Sequence, residues 1–247
     1  MADILIYPIG TTSACGFASR LLAQKGFRLV DHPTPDATHL LLDVPSFSND
    51  GMLRGGGNIE RILEMLPRYI RLIGGGLDHP AVENYRHMDL LTDECYLASN
   101  SAITAECALQ IAAPLMTHTF SGSSVLIIGW GRIGKCLSKL LKSIGADVTV
   151  TARNPRDRAM LTALGYHAVD TDNITGNYHM IYNTVPSPVL NRQQLSQWKD
   201  CIKIDLASNK GLEGDGVIWA RGLPGIHAPE SSGQLIADTI LRLIREE

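Results

Sequence analysis

The sequence predicts an α/β protein built from two βα domains joined by a long connecting helix. Three observations predict it. Strand-length apolar runs alternate with helix-spaced segments through the first hundred residues. The run Val125-Leu126-Ile127-Ile128 passes through a glycine turn into a second periodic segment, residues 135–144. Between these regions Leu97, Ile103, Cys107, Ala108, Ile111 and Ala112 recur at helical spacing. At 247 residues either one large unit or two small ones can bury a core, and the pattern favours two.

Taken in order, residues 4–9 read as a strand, 17–25 as a helix, and 28–30 and 39–44 as strands. After a Ser/Asn/Gly loop over residues 46–57, a helix is expected at 58–66 and a strand at 69–73. This first, flavodoxin-like and substrate-side domain is placed at residues 1–98. Its turn Gly10-Thr11-Thr12-Ser13-Ala14-Cys15-Gly16 lacks both the GxGxxG spacing and the Gly-Lys-Ser/Thr ending of a P-loop, so it is read as a packing turn. The connecting helix spans 99–118 and is expected to break locally at Asn100-Ser101. In the second domain, 119–228, a strand at 147–151, a helix at 156–164 and a strand at 167–169 follow the glycine turn. A run at 180–186 and a further strand at 201–208, ending in a polar turn, come next, and residues 229–247 read as an amphipathic last helix.

The turn Gly129-Trp130-Gly131-Arg132-Ile133-Gly134 between strand and helix is the fingerprint of a Rossmann dinucleotide site. Its first glycine permits the turn, its second lets backbone approach a pyrophosphate, and its third lets helix and strand pack closely. Alone the motif is a weak signal; the following strand at βαβ distance raises it. Where NAD sites carry an acid to bind the ribose 2′-OH, this chain reads Thr151-Ala152-Arg153-Asn154, with Arg156 and Arg158 close behind. Hydroxyl, guanidinium and amide groups suit a 2′-phosphate, so NADP is expected in preference to NAD.

Ligands of an open parallel sheet lie beyond the carboxyl ends of its strands. Three segments are expected there: Asn183-Thr184-Val185-Pro186, Asp205-Leu206-Ala207-Ser208 running into Asn209-Lys210-Gly211, and the stretch from Gly222 to Pro229. The last, with its two prolines, reads as a rigid loop holding Gly225 near a flat nicotinamide ring. Asp205 is expected to anchor its loop through backbone N–H groups rather than to transfer protons.

With 22 Lys+Arg against 25 Asp+Glu and a net charge of -3, no nucleic acid or anionic membrane partner is indicated. Residues 1–8 lack a basic n-region and a long apolar run, so they read as the first strand of a soluble, cytoplasmic protein. The five cysteines, Cys15, Cys95, Cys107, Cys136 and Cys201, have neither zinc-ligand nor disulfide spacing and are expected to be small buried apolar residues. No metal is expected.

The glycine turn, Ala152-Arg153, Asn183-Thr184-Val185-Pro186, Ile204-Asp205-Leu206-Ala207-Ser208 and the run from Gly222 to Gln234 occur in one order. Together with Asn100-Ser101-Ala102-Ile103-Thr104-Ala105-Glu106 they resemble the dipicolinate synthase A family over about Tyr96 to Ile244. The family's first domain is longer, and residues 1–95 match it only in general pattern. The resemblance implies an NADP-linked dehydrogenase that oxidises a dihydropyridine dicarboxylate of the lysine pathway, or a related cyclic substrate, together with a second, flavoprotein-like subunit. It also implies a sporulation context and a homodimer. Two departures bear on the substrate. The family's Arg-Pro-Gly-Gly is replaced by Asn209-Lys210-Gly211-Leu212, and the usual basic residue after Ala-Pro is Glu230. Lys210 and Arg132 are the cations left to meet a dicarboxylate.

For the proton removed with the hydride, Glu106 in the connecting helix, expected to face the interdomain cleft, and His227 are the candidates, with Lys210 as a third catalytic residue. The remaining histidines show no partner pattern. Two other readings stay open at this stage: a shikimate- or alanine-dehydrogenase-like enzyme, and a non-catalytic NADP-binding subunit of a complex.

Overall fold

The computed structural model describes residues 4–48 and 50–246, and the chain divides into two compact units: Met1–Asn100 with Pro224–Glu247, and Ser101–Leu223. The expected α/β class with two parallel sheets is observed.

In the first unit, β1 (Leu5–Pro8), β2 (Arg28–Leu29), β3 (His39–Leu41), β4 (Arg71–Gly74) and β5 (His87–Asp89) form a parallel sheet in the order β2-β1-β3-β4-β5. Alternation along the strands feeds two cores. Ile6, Leu41 and Ile73 face one side, while Leu40, Leu42 and Leu72 face the other with Ile59, Leu63 and Ile70. Helix α1 (Ser13–Gln24) begins earlier than the sequence pattern indicated, because Thr12 caps it by accepting the Cys15 N–H. Its buried Ala14, Cys15, Ala18 and Leu22 recur at helical spacing. Helix α2 (Ile59–Glu64) is capped by Asn58. The Gly10–Gly16 turn is a packing turn: the Asp43 carboxylate accepts the Thr11 and Thr12 amides at 2.9 and 3.0 Å. The protein's own anion therefore occupies the donors that an external one would use.

Helix α3 (Glu94–Ala112) runs through Asn100-Ser101 without the expected break. Ser101 is buried in it, and a polar pair does not interrupt a helix whose neighbours keep their spacing.

The second unit places β6 (Ser124–Ile128), β7 (Asp147–Thr151), β8 (His167–Val169), β9 (Met180–Asn183), β10 (Ile202–Asp205) and β11 (Val217–Trp219) in a parallel sheet. Its order is β11-β10-β9-β6-β7-β8, which is the Rossmann order read from the other edge. Val125 to Ile128 are fully buried, as a strand covered on both faces requires. Helix α4 (Arg132–Ser143) buries Gly134, Leu137, Ser138 and Leu141 on one face and exposes Lys135, Lys139 and Lys142. Helix α5 (Pro155–Ala163) lies where a helix was expected, and the short α6 (Arg192–Leu195) was not expected from sequence. The three-residue strands β5 and β11 were not expected from sequence.

One expectation about the C-terminal region is corrected. The Gly222–Pro229 stretch, read as a rigid loop, contains a short helix, α7 (Leu223–His227). Helix α8 (Pro229–Glu246), expected as a separate last element, belongs to the first unit. It packs on α1 at Gly233, where an added Cβ would stand 2.4 Å from the Phe17 Cβ and 2.6 Å from the Ala14 carbonyl oxygen. Arg242 of α8 also donates to Asp93 at 2.7 Å.

The cysteines divide by exposure. Cys15, Cys107 and Cys201 are buried, but Cys95 is exposed, which corrects its reading as a core residue, and Cys136 is intermediate. Burial pushes the Cys15 thiol up to about 12, with the Asp43 charge adding to it, and burial pushes Cys201 up to about 12 against the opposing Lys203 charge. A raised thiol stays neutral, and the thiolate is the reactive form. A thiol reagent at pH 8 is therefore expected to label Cys95 first in the native chain and to reach Cys15 and Cys201 only on unfolding. Mass-resolved labelling checks this, and equally fast modification of Cys15 would contradict it.

Candidate functional site

The site grows from the end of β6. Gly129 takes φ +104°, a conformation that side chains rarely adopt, and an added Cβ would lie 2.6 Å from Thr184 Oγ1. At Gly134 an added Cβ would lie 2.3 Å from the Gly129 carbonyl oxygen, so helix and turn meet backbone to backbone. Gly131 differs. It is the N-cap of α4 at φ -80°, ψ -169°, and an added Cβ there meets no protein atom within 4 Å. No side chain caps α4 at this position. An uncapped helix start beneath an open glycine suits an anion.

This turn forms one wall of a groove of about 460 Å³ at the carboxyl end of the sheet. The groove crosses the switch point between β6 and β9, where neighbouring crossovers run in opposite directions. Toward β7 it is lined by Ala152, Arg153 and Asn154, and toward β9 by Thr184, Val185, Pro186 and Ser187. Trp130 stands at its lip, edge-on to Tyr166 with ring centroids 5.8 Å apart.

On the β7 side, Thr151 is buried and its hydroxyl accepts from Thr171 at 3.1 Å. Asn154 caps α5, accepting the Arg156 amide at 2.9 Å. The three arginines expected to add positive charge behave differently. Arg153 is exposed and lines the groove, and Arg156 is exposed outside its lining. Arg158 is a strut: it donates to the Ala152 and Arg153 carbonyls at 2.7 and 2.8 Å and pairs with Asp170 at 2.8 Å. Its charge is committed to Asp170 and to holding the loop that presents Arg153, which corrects the expectation that it adds positive charge for the nucleotide. Thr171, Pro188 and Val189 of the lining escaped the sequence reading, and so did two carboxylates. Asp157, one turn into α5, and Asp172, in a 3-10 turn after β8, place carboxylates at the same end as Arg153.

On the β9 side, Asn183 and Asp205 are fully buried and knit two strand exits together. Asn183 donates through Nδ2 to Asp205 Oδ1 at 2.8 Å and to the Val185 carbonyl at 3.0 Å, and accepts the Val185 amide. Asp205 accepts the Gly211 and Leu212 amides at 2.7 and 2.9 Å and the Ala207 amide at 3.1 Å. The loop-anchoring role expected of Asp205 is thus observed. Leu206 and Ala207 are buried behind it and Ser208 is exposed, none of them in the groove lining. Arg132 and Ile133 form the first turn of α4 and also lie outside that lining.

The structure does not bring the three catalytic candidates into the groove lining. Lys210 is exposed and its ammonium lies 5.0 Å from the Trp219 ring centroid. Glu106 is exposed on α3, and His227, with Gly225, lies on α7 in the first unit. Among the described residues of the lining the ionisable side chains are Arg153, Asp157 and Asp172, all toward β7 and β8. That end is the charged one, and the β9 end offers the hydroxyls of Thr184 and Ser187 and backbone groups. No group of three or more metal-ligating side chains occurs among the described residues, and none of their helices is long and apolar enough to cross a membrane.

Residues 98–201 match the NAD-binding domain of the D-isomer specific 2-hydroxyacid dehydrogenases. The chain is 29% identical over 213 residues to the A subunit of dipicolinate synthase of Bacillus subtilis, a match covering 81% of this chain and 72% of that protein. It is 30% identical over 155 residues to NADP-dependent alcohol dehydrogenase C 1 of Mycolicibacterium smegmatis, covering 55% of this chain and 39% of that one. Among solved structures, the A chain of dipicolinate synthase from Bacillus subtilis superposes with a TM-score of 0.82 at 23% identity, covering 100% of this chain and 97% of that one. The second unit is an NAD(P)-binding domain of dehydrogenase type.

Proposed function

From the premise that the chain is a homologue of dipicolinate synthase A and an NAD(P)-binding dehydrogenase, we propose that it is an NADP-dependent oxidoreductase. Its substrate in this reading is a cyclic dicarboxylate of the dihydropyridine class. The observation that carries the nucleotide assignment is the open, uncapped Gly131 turn, with Arg153 at the end of β7 where an NAD site would place an acid. The pyrophosphate would rest over the start of α4, and the 2′-phosphate beside Arg153. Bound there, the cofactor supplies a nicotinamide that accepts a hydride.

The chain's own residues supply positioning. The Asn183–Asp205 pair fixes the two loops that flank the nicotinamide end, and Pro186 stops β9 from continuing across it. We assign the substrate carboxylate to Lys210, which stands in the turn that Asp205 holds. Proton removal falls to Glu106 or His227. The residue that carries it should lose at least about 100-fold in kcat on Glu106→Gln or His227→Asn with nucleotide affinity unchanged. A flavoprotein-like second subunit as partner, and a homodimer, belong to the same reading.

A second reading has a specific observation behind it. Asp157 and Asp172 share the adenosine end with Arg153, and a carboxylate there can take a ribose 2′-OH and repel a 2′-phosphate. Arg153→Ala separates the two. If NADP is the cofactor, NADPH should weaken about tenfold or more while NADH changes little, an effect on the order of one charge-assisted contact. Equal losses for both nucleotides, or tighter NADH than NADPH binding in the unaltered chain, would favour NAD.

A further inference from the structure

Two residues before Asp205 on β10, and on the same face of the strand, stands a lysine that has no part in the proposed nucleotide site. Lys203 is only 5% exposed. Its ammonium donates to the Cys201 carbonyl at 2.9 Å and the Lys199 carbonyl at 3.4 Å, and these neutral dipoles are its hydrogen-bond partners. A buried ammonium supported by carbonyls alone lacks the opposite charge that usually accompanies a cation taken out of water.

The same side chain lines a pocket of about 230 Å³ closed by Arg192, Leu195, Ser196, Lys199, Gly214 and Asp215. Three of these lining residues, Lys203 included, carry positive charge and one carries negative. The carboxylate does not offset the buried cation. Asp215 pairs with Arg192 at 2.8 Å, and the two side chains are 83% and 75% exposed, so their ion pair lies at the rim in water. No residue lines both this pocket and the nucleotide groove.

We propose that this pocket binds a small oxyanion of the phosphate or carboxylate class, with Lys203 at its floor and Lys199 and Arg192 at its rim. An ammonium has three donors, and two of them are committed to the carbonyls. The third can meet an anion oxygen, while the Ser196 hydroxyl supplies a neutral donor. Because Gly214 follows closely on the Gly211-Leu212 amides held by Asp205, a bound oxyanion ties the far end of that loop back to the strand from which it leaves.

The test is a titration of the full-length, nitrogen-15-labelled chain with inorganic phosphate, and separately with acetate, at ionic strength held constant with sodium chloride. Saturable amide shifts at Ser196, Gly214 and Asp215 are expected, and the tighter arm identifies the class of anion. Lys203→Met should abolish them, and Arg192→Ala or Lys199→Ala should each weaken the affinity at least threefold. Should Lys203→Met fail to fold, the two exposed-rim variants decide. Shifts that do not saturate, that are confined to Gly129 and Gly131, or that survive unchanged in the variants overturn the proposal.

Discussion

Replacing Gly131 with valine is expected to raise the Kd for NADPH by at least about 100-fold while leaving the melting temperature within about 2 °C of the unaltered chain. The two halves of that expectation come from different facts. An added Cβ at Gly131 meets no protein atom within 4 Å, and φ -80°, ψ -169° is ordinary extended backbone that valine adopts readily, so the fold has no reason to object. The space the side chain fills is the approach to the start of α4, where the pyrophosphate is assigned. Gly134→Val is the contrasting control. Its Cβ would stand 2.3 Å from the Gly129 carbonyl oxygen, so stability and binding should fall together. Calorimetric titration with thermal unfolding on the same samples separates the two effects. Unchanged NADPH affinity in Gly131→Val would remove the groove assignment.

Asp205→Ala is expected to destabilise the second unit strongly. The carboxylate is fully buried and accepts from Asn183 Nδ2 and from the Ala207, Gly211 and Leu212 amides. Alanine leaves four buried donors without their acceptor. At about 1–3 kcal/mol for each donor left unsatisfied, moderated by relaxation of the loop, a loss on the order of 4 kcal/mol follows. For a unit of this size that is a fall of roughly 15 °C in Tm. Asp205→Asn keeps one acceptor oxygen and should lose about half as much. A fall below about 2 °C for the alanine variant would mean that the loop holds itself without the carboxylate.

Much of this architecture was legible in the sequence, for a local reason. The glycine turn, the buried run from Val125 to Ile128 and the spacing of Leu137 and Leu141 announce strand, turn and helix within twenty residues of chain. Asp205 was legible as a loop anchor because a strand-exit aspartate followed by a polar turn has few other uses. What escaped was short or distant. A strand as short as His87–Asp89 or Val217–Trp219 shows no periodicity, and each sits at a sheet edge where one neighbour suffices to define it.

The return of α8 to the first unit was equally unreadable. Amphipathicity tells that Ile236 and Ile240 face a core, and it carries no information about which core. At the site, the arginine triplet looked uniform because residue type fixes charge but not partner. Arg158 is consumed by two carbonyls and Asp170, and only the backbone path of the loop reveals it. Asp172 enters the groove from a turn after β8, twenty-one positions beyond Thr151, a distance over which no motif spacing reports.

The most direct measurement is a crystal structure of the full chain with NADPH. The predicted result has the pyrophosphate over the start of α4 at Gly131, the 2′-phosphate within hydrogen-bond reach of Arg153, and the nicotinamide beside Thr184–Pro186. A nucleotide bound outside this groove, or one whose 2′-phosphate points away from Arg153 toward solvent, would contradict it.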